Sequence, residues 1–299
     1  MINTNNNAVL NIMFVEHQII STMKKNFFYL LSLVFIFLFS TSVNEAKSSQ
    51  EFQAKAYYFS KSKMELGDWG ARLSEAQKKQ IAARMKNRLE KGYVLSFNKE
   101  ESLFVEEDQL DAISGATDSW GKNFAPGKQY KNVKSNTQLQ EQEFYGKKFL
   151  VNDVLQTIDW KLESDTKNIG NYTCFKATAS IPTDQLTWYS FSWDNLKETD
   201  DTEIDSTQPK DVKMTLVEAW YTPQVPVRHG PLEYWGLPGL ILEVSADNTT
   251  MLCSKLVLNP DEVIEIEAPS KGKEVTKLEY RTIINNKMVE FRNNRMRRR

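Results

Sequence analysis

The run AWYTPQVPVRHGPLEYWGLPGLILEV, residues 219–244, decides the fold reading, because it sets four of the chain's nine prolines within sixteen residues between two strand-like segments. Just upstream, Val212, Met214, Leu216, Glu218 and Trp220 recur with a period of two, the spacing that brings side chains to one face of a strand. Pro223 and Pro226 have no amide hydrogen for a ladder, so that strand must stop near Tyr221. His229, Gly230 and Pro231 turn the chain again. Pro238 and Gly239, between Leu237 and Leu240, suit a type II turn, whose third residue needs positive φ. Residues 240–244 then form an almost wholly apolar strand, buried on both faces or nearly so. The stretch is a structural device, two strands joined by a stiffened crossing.

Glu218 sits in the middle of the predicted apolar face. A carboxylate there is costly unless it is paired or wet. It marks a bulge, lines a wet cavity, or meets a cation such as Arg228.

Away from this stretch the punctuation is that of a β protein. Residues 52–59 open the domain as a strand. Ser74-Glu75-Ala76-Gln77 is a capping box, and Ile81, Met85 and Leu89 recur every four residues behind it, predicting a helix over about 74–91 with a Lys- and Arg-rich solvated face. Residues 93–97 and 102–106 read as a hairpin, and 108–127 as a surface loop. Short strand candidates follow at 130–134, 138–145, 147–151, 158–163 and 171–180, the last after the turn signal Asn168-Ile169-Gly170. The acidic stretch 196–210 lacks the glycine turn and distal glutamate of a helix-loop-helix calcium site and reads as a solvated loop. Ser270 caps a predicted C-terminal helix over about 271–293, whose Val275, Leu278, Ile284, Met288 and Phe291 dock on the sheet; Arg295, Arg297, Arg298 and Arg299 form a frayed basic tail over 295–299. The fold class is mainly β (α+β): a curved antiparallel sheet, half-barrel or sandwich-like, carrying the two helices.

Met23-Lys24-Lys25 before the apolar run 27–39 has the charged start and short hydrophobic stretch of a secretory signal peptide. The run is too short for a comfortable membrane span. Residues 1–46 therefore read as a signal peptide, with Met23 as an alternative start and cleavage after Ser42 or Ala46, followed by a single domain over 47–294. The mature chain is expected to be periplasmic or secreted, without a transmembrane span. A net charge of -1 gives no footprint for nucleic acid.

Two cysteines, Cys174 and Cys253, remain in what would be an oxidising compartment; they form a disulfide if their strands are neighbours, or are two independent small core residues. His229 is the one histidine beyond the signal segment, so no metal site and no cofactor are expected, and a hydrolase would depend on that single imidazole. No G-x-S-x-G elbow occurs. Trp188, Trp193, Trp220 and Trp235, with Tyr189, Tyr221 and Tyr234, either wall an apolar pocket or fill the core.

Gly236-Leu237-Pro238-Gly239-Leu240-Ile241 resembles the signature of the GLPGLI family of exported Bacteroidetes proteins. Residues 219–223 with Gly230-Pro231, 93–102 and 171–177 are similar to further blocks of that family, so the resemblance runs over about 51–292. It implies an envelope or secreted location and a mainly β fold, and brings no activity or catalytic residues with it. The arrangement is more loosely similar to the antiparallel half-barrels of periplasmic lipoprotein carriers.

These readings lead to an exported, non-enzymatic envelope protein that binds an apolar or amphipathic ligand or partner on a concave sheet face. Glu218, Trp220, Tyr221, Arg228, Tyr234 and Trp235 are the candidate contacts. The alternative is an interaction or assembly protein of the envelope, and the third reading is a hydrolase built on His229.

Overall fold

The computed structural model describes residues 23–25, 51–64, 66, 70–107, 125–193 and 212–297. The signal segment apart from 23–25, the predicted loop up to residue 124, the acidic stretch from 196 up to residue 211 and the last two arginines lie outside them. Glu51–Arg299 form one compact unit, separate from Met1–Gln50.

The unit is an open, curved, mainly antiparallel sheet of 12 strands. In chain order they are β1 (Ala54–Ser62), β2 (Glu90–Phe97), β3 (Glu101–Glu106), β4 (Gln129–Asn132), β5 (Thr137–Phe144), β6 (Lys147–Val154), β7 (Lys161–Ile169), β8 (Tyr172–Pro182), β9 (Met214–Thr222), β10 (Leu240–Ala246), β11 (Thr249–Leu258) and β12 (Lys273–Val275). Spatially the order is β12-β6-β5-β4-β3-β2-β1-β11-β10-β9-β8-β7, two meanders joined through β1. Among the described residues only the short β12 pairs parallel, with β6.

The N-proximal helix α1 spans Glu75–Leu89, with the capping box as predicted: Ser74 accepts from the Gln77 amide at 3.3 Å and Gln77 accepts from the Ser74 amide at 2.9 Å. Its stripe Ile81, Met85 and Leu89 is only half-buried. A single-turn helix, α2 (Thr183–Leu186), follows β8.

The C-terminal helix α3 spans Lys277–Arg297 and so begins six residues later than the sequence suggested. Residues 273–275 are claimed by the ladder to β6, and the cap is Thr276 rather than Ser270: Thr276 N donates to Glu279 Oε2 at 2.8 Å and Glu279 N to Thr276 Oγ1 at 3.2 Å. Its docking face is Tyr280, Ile284 and Met288, whereas Leu278 is 71% exposed. Burying each of the three supplies roughly 1.5–3 kcal/mol. Arg295 and Arg297 belong to the helix, not to a frayed tail.

Two apolar clusters occupy the inner face. The larger joins Ala54, Ala56, Tyr58, Leu95, Phe97 and Phe104 to Val217, Ala219, Tyr221 and the apolar strand β10. The smaller, under α3, holds Phe144, Phe149, Val151, Trp188, Val275, Tyr280, Ile284 and Met288. Between them the inner face of β4 and β5 is polar.

The proline-bearing loop between β9 and β10 is folded back over the sheet. Leu240 N donates to Val225 O at 3.0 Å and Ile241 N to His229 O at 3.1 Å. Leu242 is the extra residue of a bulge against β9, and there Tyr58 donates its hydroxyl to Ile241 O at 2.6 Å.

The predicted type II turn is absent. Gly236 has φ +99°, while Gly239 is not in the left-handed region. Gly239 is needed for contact instead: a Cβ there would meet Thr222 O at 2.3 Å and Pro223 N at 2.8 Å.

Candidate functional site

The inner face of β5 reads Gln138, Gln140, Gln142, Phe144, all buried, beside Gln129 and Lys131 of β4. Gln129 is paired with Gln140 and Lys131 with Gln138 across the ladder, so the five polar side chains form one patch. Burying such groups is tolerable only when they find partners. The loop over 223–239 supplies them for Lys131, Gln129 and Gln138.

Lys131 is fully buried, and its Nζ donates to the carbonyls of Gly230 at 2.8 Å, Leu232 at 2.6 Å and Tyr234 at 3.4 Å. Burial is the main force on its ammonium, pulling it from 10.5 down to about 7; Glu233 opposes that and Lys277 adds to it. The loop is thus wrapped around a cation through its backbone. Leu232, in the middle of this wrap, has φ +47°, a conformation that costs a bulky residue on the order of 1–3 kcal/mol.

Glu233 is the side chain this conformation delivers to the patch. Its Oε1 accepts from Gln129 Nε2 at 3.0 Å, Gln138 Nε2 at 3.1 Å and Trp188 Nε1 at 3.0 Å. Its Oε2 accepts from Lys277 Nζ at 3.2 Å, and Lys277 in turn donates to Gln138 Oε1 at 2.9 Å. Four donors from four segments, β4, β5, the residues after α2 and the first turn of α3, thus converge on one carboxylate. On the patch Gln129 Oε1, Gln140 Nε2 and Gln142 Nε2, and in the cluster under α3 the Tyr280 hydroxyl, are buried without a hydrogen-bond partner.

Beside Glu233 a cleft of about 200 Å³ opens between α2, the loop and the ends of β9 to β11. Leu186, Tyr189, Leu232, Tyr234, Val244 and Met251 give it an apolar wall, and Glu233 itself forms part of the lining. Burial, and then the nearby Glu233, push the Tyr189 phenol up to about 12, so it stays neutral and can donate a hydrogen bond. A second, solvent-open groove of about 450 Å³ lies between residues 158–162 and Gly236, Leu237 and Pro238.

The six predicted contact residues are not gathered at one place. Glu218 is not on the inward face: the core-facing residues of β9 are Val217, Ala219 and Tyr221, and Glu218 is ion-paired with Lys176 at 2.8 Å instead of Arg228. Hydrogen bonds from Lys176 and from Trp220 Nε1 hold its carboxyl below the usual range. Trp220 lies under Lys167, whose Nζ is 4.2 Å from the ring centroid and 2.8 Å from Glu243 Oε2. This is a partly exposed charge ladder, each pair worth about 0–1 kcal/mol. Tyr221 belongs to the core. Arg228 stacks over Trp235, and Trp235 Nε1 donates to Gln156 O at 2.7 Å beside the open groove. Of the six, only Tyr234 lines the cleft.

His229 is fully buried within the larger cluster, its ring against Phe97 and its Nε2 hydrogen bonded to Asn98 O at 3.1 Å. A carbonyl accepts, so Nε2 is the donor of this imidazole. Burial, then Lys131, push it down to about 3. A base that weak, without solvent contact, is a core residue.

Cys174 and Cys253 are both buried and free, on β8 and β11, which β9 and β10 separate. The neighbouring-strand condition for a bridge is not met. Burial raises both thiols to about 11, so neither is a ready nucleophile. Among the described residues no group of three or more His, Cys, Asp or Glu side chains is placed to hold a metal, and no helix is long and apolar enough to cross a membrane.

A family model described as "Protein of unknown function (Porph_ging)" matches residues 160–243, from the approach to β7 into β10. Glu233 and His229 fall inside the match, whereas Gln129, Lys131, Gln138 and Lys277 fall outside it. No curated protein matches. Among solved structures, PNGF-II in its C2 and P21 crystal forms aligns with a TM-score of 0.43 at 14% identity, over 78% of this chain. The chain spans about a third of those proteins, 32% and 33% of their length. A likeness of that strength carries nothing about the site.

Proposed function

We propose that this chain is an exported, non-enzymatic protein of the cell envelope, a member of the GLPGLI family, that binds an amphipathic ligand at the inner face of its sheet. The observation that supports the reading is the cleft beside Glu233, where leucine, tyrosine, valine and methionine side chains share the lining with Glu233, four threonines and Asp247. Mixed lining of this kind suits a molecule with an apolar body and a polar end. The burial of His229 weighs against imidazole-dependent hydrolysis, since the ring reaches neither solvent nor a nucleophile. An assembly role would draw on the free edge of β7, but its alternating Lys161, Glu163, Asp165 and Lys167 and its bulge at 162–166 are features that blunt strand addition.

The test is native mass spectrometry and solvent extraction of the protein purified from envelopes. A co-purifying amphipathic molecule is expected. Protein that emerges without one, and that takes up no fatty acid, alcohol or phospholipid in solution, sinks the proposal.

A further inference from the structure

We infer that the donors around Glu233 form a carboxylate site for the acid headgroup of an amphipathic ligand, and that Glu233 fills this site as the chain's own surrogate. The inference rests on the ligand-binding reading above and specifies the headgroup.

Three observations carry it. First, the donors belong to the scaffold while the carboxylate belongs to the loop: Gln129 and Gln138 stand on adjacent strands, Trp188 and Lys277 close the cradle from outside the sheet, and Glu233 reaches in from a crossing segment. Second, the patch offers more than Glu233 uses. Gln140 Nε2 and Gln142 Nε2 are buried donors without acceptors, against one unpartnered acceptor, Gln129 Oε1. Lys277 pairs with the carboxylate at 3.2 Å, while the buried Lys131 is bonded to the loop carbonyls on either side of it. Surplus buried donors around a carboxylate are the complement of an anion. Third, the surrogate is held in a strained segment, since Leu232 stands in the left-handed region immediately before it, and it borders the apolar cleft. A ligand whose chain lies along Leu186, Tyr234 and Met251 brings its carboxylate to the position that Glu233 vacates, and the loop relaxes as Leu232 is released.

The step is an exchange of one carboxylate for another. No bond is made or broken, and the charge of the cradle is unchanged. The apolar chain supplies the preference: four methylenes buried in the cleft, at roughly 0.8 kcal/mol each, favour a long-chain acid over acetate by about 100-fold or more.

The experiment is chemical rescue of the full-length Glu233→Ala variant, read by thermal unfolding against added decanoate, acetate and decanol. Decanoate is expected to raise the melting temperature saturably, acetate to need about 100-fold more, and decanol, which has the chain without the anion, to act far more weakly than decanoate. The double variant Glu233→Ala/Lys277→Met should lose most of the decanoate response. Equal effects of decanoate and decanol, or no effect of either, overturn the carboxylate site; equal potency of acetate overturns the role of the cleft. If Glu233→Ala does not accumulate as folded protein, its refolding from urea is followed with the same additives. Recovery with decanoate alone supports the proposal, and recovery with neither or with both refutes it. A neutral amphipath found in wild-type protein would leave the ligand-binding reading standing while this one fails, so the two are separable.

Discussion

His229 gives the fold a specific acid weakness. In the unfolded chain its imidazole protonates near its ordinary value of 6.5, but in the folded chain only near 3. The unfolded state therefore binds the extra proton across that window. Stability from this residue is fully present above 6.5 and is lost as the pH falls towards 3, at about 1.4 kcal/mol per pH unit. At pH 4.5 the loss is about 2–3 kcal/mol, a large fraction of the roughly 5–15 kcal/mol by which domains of this kind are held. The perturbation is His229→Gln, which keeps a donor for Asn98 O and removes the titration. Urea unfolding at pH 7.5 and 4.5 for both proteins isolates the term, because the carboxylates elsewhere are common to both. The variant should be the less stable protein at pH 7.5, through its poorer fit against Phe97, and should lose about 2–3 kcal/mol less than the wild type on acidification. Parallel losses in the two proteins would show that the ring is accessible to protons in the folded state and would refute the argument.

Three further outcomes follow from the geometry. Gly239→Ala forces a Cβ against backbone atoms of Thr222 and Pro223, and calorimetry should show a destabilisation of about 1–3 kcal/mol, with no relief from large-to-small changes in neighbouring side chains. Tyr58→Phe leaves Ile241 O at the β10 bulge without its donor; a loss of about 1–2 kcal/mol in urea unfolding is expected, and an unchanged midpoint would mean the bulge carbonyl finds another partner. Alkylation in denaturant without reductant should label both Cys174 and Cys253, and a single disulfide-linked mass would contradict the placement of their strands.

The scaffold was legible where local chemistry acts alone. The capping box at Ser74, the hairpin at residues 98–101 and the strands expected at 130–134, 138–145, 147–151 and 171–180 are set by hydroxyl caps, turn residues and alternation within a few positions, whereas the strand expected at 158–163 lies at Lys161–Ile169. Glu218 was misread because alternation identifies two faces without saying which is inward, and on β9 the small side chains Val217 and Ala219 won the core. The start of α3 was misplaced because a long-range ladder to β6 captured residues 273–275, and no local signal announces that. Thr276-x-x-Glu279 was the available clue. The glutamine patch escaped notice for a related reason: Gln138, Gln140 and Gln142 alternate with Leu139, Glu141 and Glu143, so neither face of β5 looks apolar, and a buried polar face becomes visible only once Glu233 and Lys277 arrive from 95 and 139 residues away.

The place of β1 governs how the chain can acquire its structure. It is the seam between the two meanders, pairing with β2 on one side and with β11 on the other, from Ala54↔Leu258 to Ser62↔Thr249. During synthesis β1 to β6 can pair in order as they emerge, each with the strand made just before it. The second edge of β1 stays bare until residue 258 has been made, and β7 to β11 must assemble as a separate meander before docking there. Closure over so long a span is slow, and the waiting edge is an unpaired template for other chains. Aggregation in this protein should therefore be a hazard of the incomplete chain, sharpest in truncations that end before β11 and relieved once that strand is present.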